Sequence, residues 1–171
     1  MNKPIDQSHW IKEGAFLAGE YPRNLDEEAS KQKLKKFVDF GINSFVDLTE
    51  ENELEPYENL LHEMDQNEVT YKRFPIRDVS VPENKNEVAA LLDYIDREIH
   101  EGKIVYLHCW GGIGRTGTIA GCWLSRQGDK GPMALTKLSE KWQDNPKSKE
   151  RASPETEAQK QFVLNWDAPL N

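Results

Sequence analysis

The segment at residues 105–117, VYLHCWGGIGRTG, restricts the fold more than any other part of the chain. The apolar run Ile104-Val105-Tyr106-Leu107 has the composition of a central strand covered on both faces. It ends at His108-Cys109, five residues follow, and Arg115 stands at the start of a helix predicted over 116–127. So tight a turn between strand and helix needs backbone conformations that glycine reaches most easily, and Gly111, Gly112 and Gly114 supply them. Such a loop points successive N–H groups inward while the helix N-terminus adds positive potential. The segment therefore predicts an anion cradle lined by Trp110, Gly111, Gly112, Ile113, Gly114 and Arg115. Arg115 suits phosphate because its planar fork meets two oxygens at once, where lysine offers a point charge. The same field favours the thiolate of Cys109, which makes that residue a nucleophile.

Around this segment strands and helices alternate. Residues 10–20 read as short strands about Gly14, and 26–40 as a helix with Asp26 or Asn24 as N-cap and Gly41 in the stop position. Residues 42–48 alternate like a strand, Pro56 opens a short helix to Met64, and 69–74 is a second strand. Residues 75–83 have no periodicity and form a loop. At 87–100, Val88, Leu91, Leu92, Ile95 and Ile99 share one helical face, which Gly102 ends. Two more helices are expected at 132–143 and 155–166, the latter with Ser153 as N-cap and Pro154 at N1. This order implies an α/β fold: a largely parallel sheet of four to five strands with helices on both faces. A length of 171 residues fits one domain, spanning 1–171.

Charge narrows the partners. A net charge of -8 argues against nucleic acid or an anionic membrane surface, since both reward Lys and Arg. The acidity is local: residues 47–71 hold nine acids and no Lys or Arg, leaving 21 acids against 22 bases elsewhere. Those nine read first as a solvated helix and loop, and otherwise as a docking face for a basic partner. No apolar run approaches a membrane span, and residues 1–6 lack the apolar core of a signal peptide, so a cytoplasmic protein is expected. The two cysteines, Cys109 and Cys122, are too few for a disulfide framework and lack zinc-ligand spacing. Cys122, two turns along the predicted helix, reads as a buried packing residue, not a redox partner.

The glycines at 112, 114 and 117 also satisfy G-x-G-x-x-G, but the acid that a dinucleotide site needs about 20 positions on is replaced by Lys137. A Walker A loop fails as well, because Thr118 stands where its Lys belongs. Instead the run His108-Cys109-Trp110-Gly111-Gly112-Ile113-Gly114-Arg115-Thr116 resembles the signature of the cysteine-based protein tyrosine phosphatases. It is most similar to the dual-specificity branch around the cyclin-dependent-kinase-associated phosphatase and its microbial relatives. Weaker similarity extends to FLAGEYP, DLTEE, FPIRDVSVP and SPETEAQKQFV.

The resemblance implies a protein tyrosine phosphatase-like fold, a phosphocysteine intermediate and no metal or cofactor. It also implies a general acid on an upstream loop, and the chemistry asks for one too, because a protonated leaving oxygen departs far more easily. Asp78, in the 75–82 loop, matches that acid. Thr116 would stabilise the departing thiolate, or bond only to backbone as a first-turn threonine. His108 would tune the thiolate and orient the loop, or be a histidine satisfied by backbone. Gln159 matches a glutamine that positions water in part of the family, and otherwise reads as an exposed helix residue. The expected substrate is a phosphorylated protein or peptide, phosphotyrosine above phosphoserine and phosphothreonine, handled by a monomer. The rivals are a phosphoinositide or inositol-phosphate phosphatase and a phosphate-binding module without turnover.

Overall fold

The computed structural model describes residues 2–64 and 69–167. Strands β1 (Ser8–Lys12), β2 (Phe16–Gly19), β3 (Ile42–Asp47), β4 (Thr70–Arg73) and β5 (Ile104–His108) form one sheet in the order β1-β2-β5-β3-β4. The β1–β2 hairpin is antiparallel, and every other pairing is parallel. Helices α1 (Glu27–Phe40), α2 (Glu58–Met64), α3 (Lys85–His100), α4 (Gly114–Arg126), α5 (Pro132–Trp142) and α6 (Glu157–Leu164) cover both faces. The layered α/β fold expected from the alternation is present.

Strand periodicity divides the interior into two cores. Val105 and Leu107 point to the face where Phe16, Ala18, Val46 and Leu48 meet α3 and α4. Tyr106 points the other way, joining Leu17 and Phe45 under Leu34 and Phe37 of α1 and Leu60 and Leu61 of α2. Because β5 is covered on both sides, it can be apolar throughout, and its end is held firmly. Helix α4 is buried from Gly114 to Ser125, enclosed by the sheet, α5 and α6. The loop between β5 and α4 thus hangs between two of the best-anchored elements in the molecule.

Helix ends follow local chemistry. The Asp26 side chain accepts from Ala29 N at 2.8 Å, and Gly41 closes α1 at a φ of 100°. The last helix corrects the sequence reading. It starts at Glu157 with Thr156 as N-cap, not at residue 155 with Ser153. Thr156 Oγ1 accepts from Gln159 N while Gln159 Oε1 accepts from Thr156 N, a capping box that satisfies two helix-end donors. The Ser153 hydroxyl is engaged elsewhere, donating to Ile113 O at 2.7 Å. The acidic stretch also departs from a uniformly solvated face. Asp47 is fully buried at the end of β3 and Glu53 is partly buried, each held by partners described below. Glu50, Glu51, Glu55, Glu58 and Glu63 are exposed as expected, whereas Asp65 and Glu68 lie outside the described residues.

Candidate active site

The loop's carbonyls are drawn away from its concave side by groups behind it. Leu48 N donates to His108 O at 2.9 Å and Tyr21 N to Trp110 O at 2.8 Å. Lys147 Nζ donates to Gly111 O at 2.9 Å, and Ser153 supports Ile113 O. With those oxygens occupied at the back, the N–H edges of the same peptides are left to the front, as an anion-binding nest requires. Gly112 makes the turn at a φ of 72°, and a Cβ there would sit 2.3 Å from the Gly19 backbone. At Gly114 a Cβ would meet the Gln159 amide at 2.8 Å. These two glycines let the loop lie flush against β2 and α6.

Cys109, Trp110, Gly111, Ile113, Gly114 and Arg115 line one pocket of about 130 Å³, closed on its other side by Asp78, Val79, Arg151, Glu155 and Gln159. Cys109 is 4% exposed and Arg115 1%, whereas Trp110 is 63% exposed on the rim. The Arg115 guanidinium is held by a fork: Nη1 and Nη2 donate to the two Glu53 oxygens at 2.8 and 2.7 Å, and Nη1 also reaches Ile76 O at 3.0 Å. Burial is the largest single influence on Glu53 and opposes its ionisation, but the hydrogen bonds from Arg115, the backbone hydrogen bond at Glu50 and the Arg115 charge together outweigh it and hold the carboxyl below its ordinary range. Arg115 Nη2 also lies 3.2 Å from Asp78 Oδ1, so the upstream loop brings its carboxylate to the same centre. Asp78 stays more than half exposed, and Val79 after it has a φ of 57°, rare for a β-branched residue. Two polar atoms in the cradle, Arg115 Nε and Thr116 Oγ1, are buried with no partner among the described residues. The backbone-only reading of Thr116 therefore has no acceptor to support it.

Beneath the cradle, His108 is fully buried. Burial lowers its pKa, so the ring is neutral at pH 7. Its Nδ1 lies 3.2 Å from Cys109 O and its Nε2 2.6 Å from the Tyr57 hydroxyl. A neutral ring fits both contacts, with Nδ1–H donating to the carbonyl and Nε2 accepting from tyrosine. Asp47, paired with His108 across the β3–β5 register, accepts from Thr49 N, Thr49 Oγ1 and the Tyr71 hydroxyl at 2.9, 2.7 and 2.8 Å. Its Oδ1 stands 3.9 Å from His108 Nδ1.

Gln159 borders the pocket but is buried rather than exposed. Its Oε1 accepts from Glu155 N and Thr156 N, and its Nε2 donates to Ser80 O at 3.0 Å, just beyond Asp78. Of the residues singled out from the sequence, Asp78, Cys109, Trp110, Gly111, Ile113, Gly114, Arg115 and Gln159 line the pocket and His108 lies beneath it, whereas Gly112 and Thr116 belong to the same loop and helix start without lining it. Glu53, Tyr57 and Asp47 were not singled out as site residues. Cys122 is a free, buried thiol on α4, raised in pKa by burial.

Solved structures share this architecture. Tk-PTP in its active form superposes with a TM-score of 0.76 at 22% identity, covering 96% of this chain and 98% of its own. Kinase associated phosphatase gives 0.71 at 18%, covering 91% and 89%. Identities this low establish the fold. A protein of Invertebrate iridescent virus 3 named Putative tyrosine phosphatase 067L is 29% identical over 170 residues. That match takes in 95% of this chain and 66% of the viral one, so the chain spans just under two thirds of that relative's length. The sequence model of a family described as "Polymorphic toxin system, DSP-PTPase phosphatase" matches residues 20–129, from just after β2 through the cradle to just past the end of α4. With the signature loop in the matched region and the fold shared with solved phosphatases, the chain belongs to this dual-specificity branch of the cysteine-based phosphatases, the DSP-PTPase family of polymorphic toxin systems.

Proposed function

We propose that residues 1–171 act as one catalytic domain that hydrolyses phosphate monoesters, phosphotyrosine in proteins above all. The observation that carries this reading is the convergence of Cys109, Arg115 and Asp78 on one small pocket. The Cys109 thiolate attacks phosphorus, a P–S bond forms and the P–O bond to the leaving group breaks. Asp78 gives its proton to the departing oxygen. Water then attacks the phosphocysteine, Asp78 takes a proton from that water, and inorganic phosphate leaves with the thiolate restored. The loop amides and Arg115 meet the equatorial oxygens throughout, where preorganised donors lower the barrier most. Thr116 Oγ1, which has no hydrogen-bond partner among the described residues, donates to the leaving thiolate. His108 acts as a positioning residue, holding Cys109 through its carbonyl rather than through proton transfer. Glu53 fixes the plane of Arg115, and Gln159 ties the acid loop to α6 through Ser80 O.

Cys109→Ser tests the mechanism directly. Turnover of an aryl phosphate should vanish while tungstate still binds by calorimetry, because the amides and Arg115 remain. Hydrolysis by the serine variant at a substantial fraction of the parent rate rules out the phosphocysteine route.

A further inference from the structure

The described residues leave four large hydrophobic side chains exposed: Leu25, Val79, Trp110 and Met133. Three of them surround the mouth of the cradle. Val79 and Trp110 line the cradle pocket itself, and the far side of Trp110 forms one wall of a second depression of about 320 Å³. Tyr21, Arg23, Leu25, Leu54 and Glu55 are among the other residues of that groove. It is mainly apolar and already braced: Tyr21 N holds Trp110 O at 2.8 Å, and the Tyr21 hydroxyl holds Glu55 O at 2.9 Å. A preformed depression of this kind binds without an ordering cost on the protein side. Fully exposed leucine and largely exposed tryptophan beside a catalytic pocket are the pattern of a docking surface, not of scattered surface residues.

The charges nearby indicate what does not go there. Among the described residues that line the two depressions, each cation faces a carboxylate: Arg115 has Glu53, Arg151 has Glu155, and Arg23 has Glu55 at 3.9 Å. A second phosphate would have to displace one of them, whereas an apolar side chain needs only to cover Leu25, Leu54 and the outer face of Trp110.

Resting on the phosphatase reading above, we propose that this groove binds a large aliphatic or aromatic side chain adjacent to the phosphotyrosine in the same peptide. Trp110 is the shared wall, so a chain whose phosphate sits in the cradle carries its neighbouring residue straight into the groove. The groove is a specificity subsite and takes no part in bond breaking.

The test uses two phosphotyrosine peptides identical except for the residues flanking phosphotyrosine, leucine in one and alanine in the other. Their affinities are measured by calorimetry on the non-hydrolysing Cys109→Ser protein. Separately, the parent protein is assayed on p-nitrophenyl phosphate, so a failure of the phosphatase reading is told apart from a failure of the subsite. The leucine peptide should bind about ten-fold more tightly, the low end for covering one large apolar side chain in an open groove. Adding Leu25→Asp, at a fully exposed position that folding does not use, should bring the ratio close to unity. Met133→Asp, exposed but outside both depressions, should leave the ratio intact. Equal affinities for the two peptides, or a preference that survives Leu25→Asp, overturns the proposal. So does Leu25-dependent binding to vesicles of phosphatidylinositol phosphate in phosphatidylcholine that exceeds binding of both peptides, since the groove would then hold an acyl chain.

Discussion

Protonation of His9 should destabilise the fold well above the pH at which most carboxylates titrate. His9 lies in β1 with its ring edge-on to Trp142 at 5.0 Å, and neither ring nitrogen has a partner among the described residues. Burial, and then the nearby Lys3, push its pKa down to about 3; Asp144 acts in the other direction and Lys141 adds a smaller push downward. The folded state therefore refuses a proton that the unfolded chain accepts near the ordinary value of 6.5. Between those two values the unfolded state binds more protons, so stability falls as pH falls. Across pH 7 to pH 5 the gap opens by roughly 1.4 to 1.5 units, which amounts to about 2 kcal/mol attributable to this one ring. His9→Phe keeps an aromatic edge against Trp142 and cannot titrate. Urea unfolding of parent and variant at both pH values isolates the effect, because every other titrating group is common to the two proteins. The parent should lose about 2 kcal/mol more than the variant over this interval. Parallel losses would mean that the ring is hydrated or paired in solution and would refute the argument. Activity should follow stability, because Trp142 Nε1 also donates to Arg151 O at 2.7 Å and so supports the segment carrying Lys147 to the cradle.

Asp78→Asn should lower kcat by about 10² to 10⁴. The loss should shrink for aryl phosphates with acidic leaving groups, and a leaving-group series in which the loss stays constant would remove Asp78 from proton transfer. Glu53→Gln keeps the shape of the fork but not its charge, and kcat/KM should fall about ten-fold, the scale of one weakened charge-assisted hydrogen bond. A KM-against-kcat split on a small aryl phosphate shows whether the plane of Arg115 has moved. Gly112→Ala forces a Cβ into the Gly19 backbone at an unfavourable φ, and should cost at least about 2 kcal/mol in urea unfolding together with tungstate binding.

The cradle was legible because its requirements are local. A buried strand, a glycine-rich turn and a helix N-terminus occupy one stretch of chain, and each constrains its own residue types. Glu53 was hidden in a run of acids because it meets Arg115 across 62 residues, and nothing in its neighbours marks it as different. Tyr57 reaches His108 across 51 residues in the same way. Asp47 carried a usable signal: parallel strands end together, so a carboxylate at the end of β3 stands beside His108 at the end of β5. At the last helix two start signals compete within four residues. Ser153-Pro154 looks like a cap followed by N1, but Thr156 and Gln159 satisfy each other reciprocally, and the Ser153 hydroxyl is committed to the cradle. Gln159 is buried because α6 docks that side against Gly114, a tertiary contact that no helical periodicity reveals.

The position of Cys122 decides how the protein would recover from oxidant. Low in exposure and two turns along α4, it lies roughly 10 Å up the helix axis from the cradle, beyond the ~7 Å Cα separation that a disulfide tolerates. A sulfenic acid formed on Cys109 therefore has no thiol of its own chain to condense with. Its repair becomes a bimolecular event, with a rate proportional to the concentration of a small external thiol that can enter a pocket of about 130 Å³. The reducing capacity of the surroundings then sets how long a burst of peroxide keeps the enzyme silent, and any delay exposes Cys109 to the irreversible sulfinic step.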